Sequence, residues 1–305
     1  MKKAVVIWDI MVDKYVFGSI DRLNPEEPAV SLLLSDKEEY RLWGAANVAA
    51  NLVRMWIQTR LVWVLWQDFA WKKIHELSQQ LGIELHAVLH ENPTIIKERF
   101  MSGNRLILRV DREKYNSLSK EQIDHLYSLA SSQESDIVIF SDYGKWMAHS
   151  DLITQLKAYS AHQHIPIIAD SKPKNINMFH GISIIKPNFL EFKWLVWRMD
   201  MEPKDVHLIE TYGIQKAYEL QSTLVITRWA FGATIITPTW EVQHLPAIET
   251  LSVDPTWAWD SFLAWLACWL TQKMSLEKAV NVWMKAWSIA VSRAGTSLVS
   301  KEEIM

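Results

Sequence analysis

The chain has 305 residues, 49% hydrophobic and 22% charged, with a formal net charge of -3. That size and balance suit one large α/β domain or two small ones around a sizeable core, and exclude a disordered chain and a general nucleic-acid binder. The single cysteine, Cys268, excludes an internal disulfide and points to a reducing compartment, the cytoplasm; no stretch approaches the roughly 18 uninterrupted apolar residues of a membrane helix. Glycine is short and tryptophan abundant. There are 9 Gly and 17 Trp, where average usage would place roughly 21 Gly in a chain of this length. The deficit of one nearly matches the excess of the other, so many Trp positions read as glycine positions of a parent chain.

The first residues, Met1–Ile7, carry two lysines and an apolar run that Asp9 and Asp13 interrupt. This predicts a buried strand over 4–10 rather than a leader. The two acids would then stand at its carboxyl end, where α/β sheets meet ligands, unless they are simply solvated. Alternating segments within 14–40, such as Ala29–Leu34, are broken by Asn24-Pro25 and Glu27-Pro28, which predicts short strands outside the main sheet. A tight turn at Gly44 opens an Ala-rich helix over 45–55. Strands are predicted at Leu61–Leu65 and Glu84–Leu89, with a helix over about 72–81 between them. Thr94–Met101 and Arg105–Asp111, joined by Ser102-Gly103-Asn104, read as a hairpin.

A helix at 119–132 precedes the strand and polar turn Asp136–Lys145. A helix at 150–162 then leads to the strand Ile165–Asp170 and the turn Ser171-Lys172-Pro173-Lys174-Asn175, a solvated basic loop or a pair of point charges for a phosphate. In Ile184–Glu191, Asn188 and Glu191 lie one helical turn apart and share a face. Thr223–Gly232 reads as strand and turn, and 286–296 as the last helix and turn. Between them, Asp254–Phe262 opens onto the apolar run Phe262–Leu270, a buried helix. The free N–H groups at that helix entrance would hold an anion while Asp260 takes a proton from an attacking hydroxyl. Close backbone approach to the anion asks for glycine, and Trp257 and Trp259 stand there. The ten His show no metal-ligand spacing. Alternating strands and helices predict a parallel, doubly wound α/β sheet.

Asp254, Thr256, Ala258, Asp260 and Phe262 closely resemble the D-x-T-G-A-G-D-x-F signature of the ribokinase-like (PfkB) sugar kinases, with Trp257 and Trp259 at its two glycines. Four further stretches are similar to that family in order. Trp8–Asp13 resembles G-D-x-M-x-D, Arg41–Asn51 resembles G-G-A-A-N-V-A with Trp43 at the first Gly, Lys186–Glu191 contains P-N-x-x-E, and Thr223–Gly232 resembles L-V-T-x-G-x-x-G with Trp229 at a Gly. Trp56, Trp63, Trp66 and Trp71 also fall at family glycines. Within the family the heptose-phosphate kinases are most similar, through Arg105–Glu113, Ser141–Lys145 with Trp146 at the next Gly, and Asp170–Asn175.

The resemblance implies a ribokinase-like fold over 1–305 with a small β lid from about 14–40 and 94–112, often shared in a homodimer. It implies Asp260 as catalytic base, with Thr256, Trp257, Ala258 and Trp259 at the anion hole. Asp9, Asp13, Gly44 and Asn47 would face the sugar, and Lys172 or Lys174 its phosphate. Asn188, Glu191 and Thr227 would face the nucleotide, Glu191 touching Mg²⁺ through water, and Trp287 the adenine edge. The implied reaction is ATP-dependent phosphorylation of the anomeric hydroxyl of D-glycero-D-manno-heptose 7-phosphate, a step toward ADP-heptose for lipopolysaccharide. A ribokinase-like kinase for another sugar, or a kinase-like fold without catalysis, are the alternatives. The last is favoured for the chain with Trp257 and Trp259, whose indoles would fill the phosphate space. Overpacking at many Trp sites, at about 1–3 kcal/mol each, predicts poor folding.

Overall fold

The computed structural model describes residues 1–22, 24–27, 29–114, 117–145, 149–248 and 258–292, leaving aside the side chains of 258–261, 290 and 291. Thirteen strands and eight α-helices follow one another among them. They are β1 (Lys3–Trp8), β2 (Ile10–Ser19), β3 (Leu34–Gly44), α1 (Ala45–Arg54), β4 (Gln58–Leu65), α2 (Phe69–Leu81), β5 (Glu84–Leu89), β6 (Ile95–Ser102) and β7 (Arg105–Arg112) in the first part. Then come α3 (Lys120–Ser131), β8 (Ile137–Ser141), α4 (Ser150–Gln163), β9 (Ile167–Asp170), β10 (Ile184–Ile185), α5 (Phe189–Val196), α6 (Val206–Leu220), β11 (Thr223–Thr227), β12 (Ala233–Ile236), β13 (Val242–Leu245), α7 (Ala258–Thr271) and α8 (Leu276–Val291).

Nine strands form the main sheet in the order β13-β12-β11-β10-β9-β8-β1-β4-β5. The run from β5 to β11 is parallel, and β12 and β13 join antiparallel. Ala4–Trp8 and Thr59–Leu65 are buried at every residue, as strands must be when helices cover both faces. The alanines of α1 let it lie close on β1, β4 and α7, and α7 packs on α8.

β2 begins one residue after β1 ends, so the chain leaves the main sheet at Asp9 and enters a second sheet of four strands, β3-β2-β6-β7. This lid therefore rises from the carboxyl edge of β1. β3 brings the chain back to that edge at Gly44, where φ is 67°. A Cβ at Gly44 would lie 2.3 Å from the Asp9 carbonyl oxygen, so the return turn admits only glycine.

Several boundaries differ from the sequence reading. The expected strand over 4–10 stops at Trp8, and Asp13 lies inside the lid strand β2 rather than in a loop. The alternating Ala29–Leu34 is not a strand; β3 starts only at Leu34, and its first five residues are exposed. α2 begins at Phe69, ahead of 72, because Asp68 Oδ1 accepts from Trp71 N at 2.9 Å and caps it. The last helix starts at Leu276, ten residues earlier than 286, and packs on α7; its expected end at 293–296 lies outside the described residues. The helices at 45–55, 119–132 and 150–162 and the 94–111 hairpin agree to within a few residues. Among the described residues eight non-glycine residues have positive φ, and five of them are Trp8, Trp56, Trp197, Trp229 and Trp240.

Candidate active site

The site is built where β1 hands over to the lid. Asp9 is fully buried, and its Oδ2 accepts from Tyr143 N at 2.7 Å and Lys145 N at 3.0 Å. Its backbone oxygen accepts from Ala45 N at 3.0 Å. Its Oδ1 has no hydrogen-bond partner among the described residues. Burial, with the charge of Asp142 nearby, pushes the Asp9 carboxyl up to about 8. Asp142 itself accepts from Gly144 N, Ser171 Oγ, Lys172 N and Asn175 Nδ2 at 2.6–3.2 Å. It thereby locks the 142–145 turn that holds Asp9 to the 171–175 turn. Gly44 starts α1 beside Asp9, and Asn47 sits in the first turn, with its Oδ1 and carbonyl facing Asn51 Nδ2.

Asp13, also fully buried, meets Arg99 Nε of β6 at 3.0 Å. Burial raises its carboxyl to about 6, and Arg99 pulls against that. Lys97 and Arg99 lie on the same face of β6, two residues apart. Lys97 Nζ stands 5.1 Å from the centre of the Trp43 ring and the Arg99 guanidinium 4.7 Å from it. The indole also meets Tyr143 edge-on at 6.3 Å. Trp43 thus occupies the space between the lid cations and the turn that holds Asp9.

The second half of the site lies at the carboxyl ends of β9 to β11. Asn188 is the N-cap of α5: its Oδ1 accepts from Glu191 N at 2.8 Å, and Glu191 Oε2 accepts from Asn188 N at 3.0 Å. The two do more than share a helix face; they form a reciprocal capping box, with Asn188 just outside the helix. Glu191 Oε1 pairs with Lys172 Nζ at 2.5 Å. Burial pulls the Lys172 ammonium down, but Glu191 and Asp170 hold it above its ordinary range. Lys174 donates to Gly144 O at 2.9 Å, and both lysines line a cavity of about 670 Å³ with Trp194, Trp197 and Lys216. Thr227 bridges to Asn188 across β11 and its Oγ1 has no partner among the described residues.

Lys186, at the end of β10, is buried, pairs with Asp170 Oδ2 at 2.8 Å and lies 5.3 Å from the Phe262 ring of α7. That contact draws the entrance of α7 to this edge. Asp260 belongs to the first turn of α7, while Thr256 and Trp257, and the side chains of Ala258, Trp259 and Asp260, lie outside the described residues.

A buried carboxylate under a β lid, a capped N-x-x-E helix start and a second helix entrance share one sheet edge. The profile described as pfkB family carbohydrate kinase matches residues 1–303. The chain belongs to that family. The bifunctional protein HldE of Hyphomonas neptunium is 30% identical over an alignment of 309 positions that covers 99% of this chain and 63% of that protein. The chain therefore spans less than two thirds of the length of the curated relatives it matches. Phosphofructokinase-2 from Escherichia coli, in complex with potassium, superposes with a TM-score of 0.79 at 17% identity, over 99% of this chain and 96% of that one. Ribokinase of Arabidopsis thaliana, complexed with ribose and ATP, gives 0.75 at 16%, over 99% and 97%. The fold is ribokinase-like, and the family is one of phosphotransferases.

In this PfkB chain the crevice beside Thr227 is lined by Trp229, Trp283, Met284 and Trp287, and holds only about 10 Å³ of free space, no more than one water. Indoles thus fill both this crevice and the space under the lid. The sequence reading passed over Lys97, Arg99, Asp142 and Lys186. Lys186 carried a signal, a lysine closing an apolar strand just before Pro187-Asn188. Lys97 and Arg99 carried one too, alternating on the strand that faces Asp13. Asp142 carried none beyond its place at a strand end.

Proposed function

We propose that the protein is an ATP-dependent kinase that phosphorylates the anomeric hydroxyl of a heptose 7-phosphate, over a single domain of 1–305 with its lid. Asp9 carries this reading. A wholly buried carboxyl group, held through Oδ2 and with no partner at Oδ1 among the described residues, is built to exchange a hydrogen bond with a sugar hydroxyl. Asp13 of the lid and Asn47 of α1 flank it. Lys172 or Lys174, which Glu191 and Gly144 O hold here, would turn to the sugar phosphate.

Asp260 acts as the base on the anomeric hydroxyl, at the positive end of the α7 dipole. Mg·ATP is a substrate. No group of three metal-ligating side chains exists among the described residues, and both Glu191 oxygens are engaged, so Glu191 suits contact with the ion through water. Mg²⁺, held through water near Glu191, would supply neutralisation of the phosphate charge; the chain's own work is to orient the sugar and exclude water. The ribokinase neighbour, solved with ribose and ATP, and the HldE relative support the substrate classes. No helix among the described residues is long and apolar enough to cross a membrane, and a cytoplasmic enzyme fits that. The test is ADP release with Mg·ATP and heptose 7-phosphate, for this chain beside its Trp257→Gly/Trp259→Gly form, with a panel of other sugars. Turnover of another sugar in preference to the heptose would overturn the substrate.

A second reading applies to the chain with its tryptophans: a kinase fold without turnover. The filled crevice at Trp229, Trp283 and Trp287 favours it. Retention of ATP by this chain, measured by equilibrium dialysis, would count against it.

A further inference from the structure

We propose that the molecule made in the source cell has glycine at Trp8, Trp56, Trp197, Trp229 and Trp240, each encoded by a UGA triplet that the cell decodes as glycine. All five have positive φ, between 52° and 103°, a conformation that glycine adopts freely and that residues with a Cβ avoid. Among the described residues His164, Gln221 and Lys273 are the other non-glycine positions with positive φ. The conformation thus admits other residues; what singles out tryptophan is that one rare residue type fills five of these eight positions. Two of the five close helices. Trp56 follows α1, where Trp56 N donates to Val53 O at 3.0 Å and Ile57 N to Leu52 O at 3.1 Å. Trp197 follows α5 in the same way, with Arg198 N donating to Lys193 O at 3.0 Å. This is the helix ending whose left-handed residue is ordinarily glycine, and α2 ends so on Gly82, with φ 76°. Trp240 closes the turn between β12 and β13, its N donating to Thr237 O at 3.1 Å, a left-handed place that glycine takes in hairpin loops. Trp229 opens the turn after β11, and Trp8 ends β1.

The surroundings of the five have nothing else in common. Trp8 is wholly buried, while Trp56, Trp197, Trp229 and Trp240 are 71%, 79%, 44% and 66% exposed. A need for an indole would place them in like surroundings; a need for glycine places them wherever the backbone turns left-handed. The buried indoles also fit poorly. The indole Nε1 of Trp8 has no hydrogen-bond partner among the described residues, nor do those of Trp283 and Trp287, where tryptophan ordinarily finds one. Positions scattered through the fold and alike only in φ call for a single cause that acts on the codon and not on the site. One triplet, UGA, is read differently in different genetic codes, as tryptophan in some, and its decoding as glycine would account for all five at once. The inference does not depend on which sugar the protein takes.

The test is the source gene together with peptide mass spectrometry of the native protein. Trypsin would release Ala4–Lys14 and Met55–Arg60, which hold Trp8 and Trp56 and no other tryptophan. UGA at the five positions, with both peptides carrying the glycine mass, is expected; UGG codons, or peptides carrying the tryptophan mass, overturn the proposal. A thermal melt gives an independent readout on the chain itself. It uses the four exposed positions, because removing Trp8 from the core leaves a cavity. Changing Trp56, Trp197, Trp229 and Trp240 together to Gly should raise Tm by about 10 °C, a few degrees for each. Changing the same four to Ala, which keeps the Cβ, should raise it much less. A glycine form that melts no higher than the unchanged chain, or an alanine form that melts as high as the glycine form, overturns the proposal.

Discussion

Asp9 illustrates how much chemistry one residue takes from its surroundings. An aspartate in water is ionised at neutral pH, but here burial and Asp142 lift the carboxyl to about 8, and Asp13 rises to about 6. Both groups hold protons in the folded chain that the unfolded chain has already released. Stability from these protons is therefore present at low pH and lost as pH rises through the folded values. The unliganded protein should melt at progressively lower temperature between about pH 5 and pH 8, and Asp9→Asn should flatten that decline; a scanning melt across pH checks it. Trp56 is the cleanest test of backbone strain, because it is 71% exposed with φ 65° and its indole packs on little. Trp56→Gly should stabilise by about 1 kcal/mol, while Trp56→Ala, which keeps the Cβ, should gain much less. The corresponding rise in Tm is a few degrees.

At the scale of elements, α5 joins stability to the site. Its cap is the N-x-x-E pair itself: the two side chains satisfy free N–H groups at the helix start, the Asn188 backbone pairs with Thr227, and the Glu191 side chain also holds Lys172. Asn188→Ala should cost about 1 kcal/mol in chemical denaturation, the usual loss for an N-cap. The lid is the other element whose role follows from its surface. On β7 all of Arg105–Arg109 is exposed, and Leu106 and Leu108 present apolar side chains at an open edge. Such an edge invites a second chain, which fits the homodimer expected through the lid. Leu106→Lys/Leu108→Lys should shift the protein to a monomer in sedimentation while leaving the far-ultraviolet spectrum unchanged.

For the whole molecule, the tryptophan positions are expected to limit activity together. Indoles fill the crevice beside Thr227 and the space under the lid, and Trp257 and Trp259 stand at the α7 entrance. Restoring glycine at Trp43, Trp229, Trp257 and Trp259 together should raise turnover at least about 10²-fold, the effect of regaining one oxyanion donor; coupled ADP release measures it. Alternation of strands and helices made the parallel sheet legible from the sequence, because periodicity is a local property. The order of short motifs made the family legible, because D-x-T-x-A-x-D-x-F and P-N-x-x-E are each read within one turn of chain. The shared sheet edge was not legible, nor were Lys97 and Arg99 over Trp43, Lys186 against Phe262, or Asp142 behind Asp9. Such contacts join residues up to 136 positions apart, as Asp9 and Lys145 are. The sequence by itself determined the fold class and the family; only the tertiary structure decided that Asp9 is buried, that Lys97 and Arg99 pair with Asp111 and Asp13, and which indoles fill the space beside them, because burial and charge pairing are set by neighbours distant along the chain.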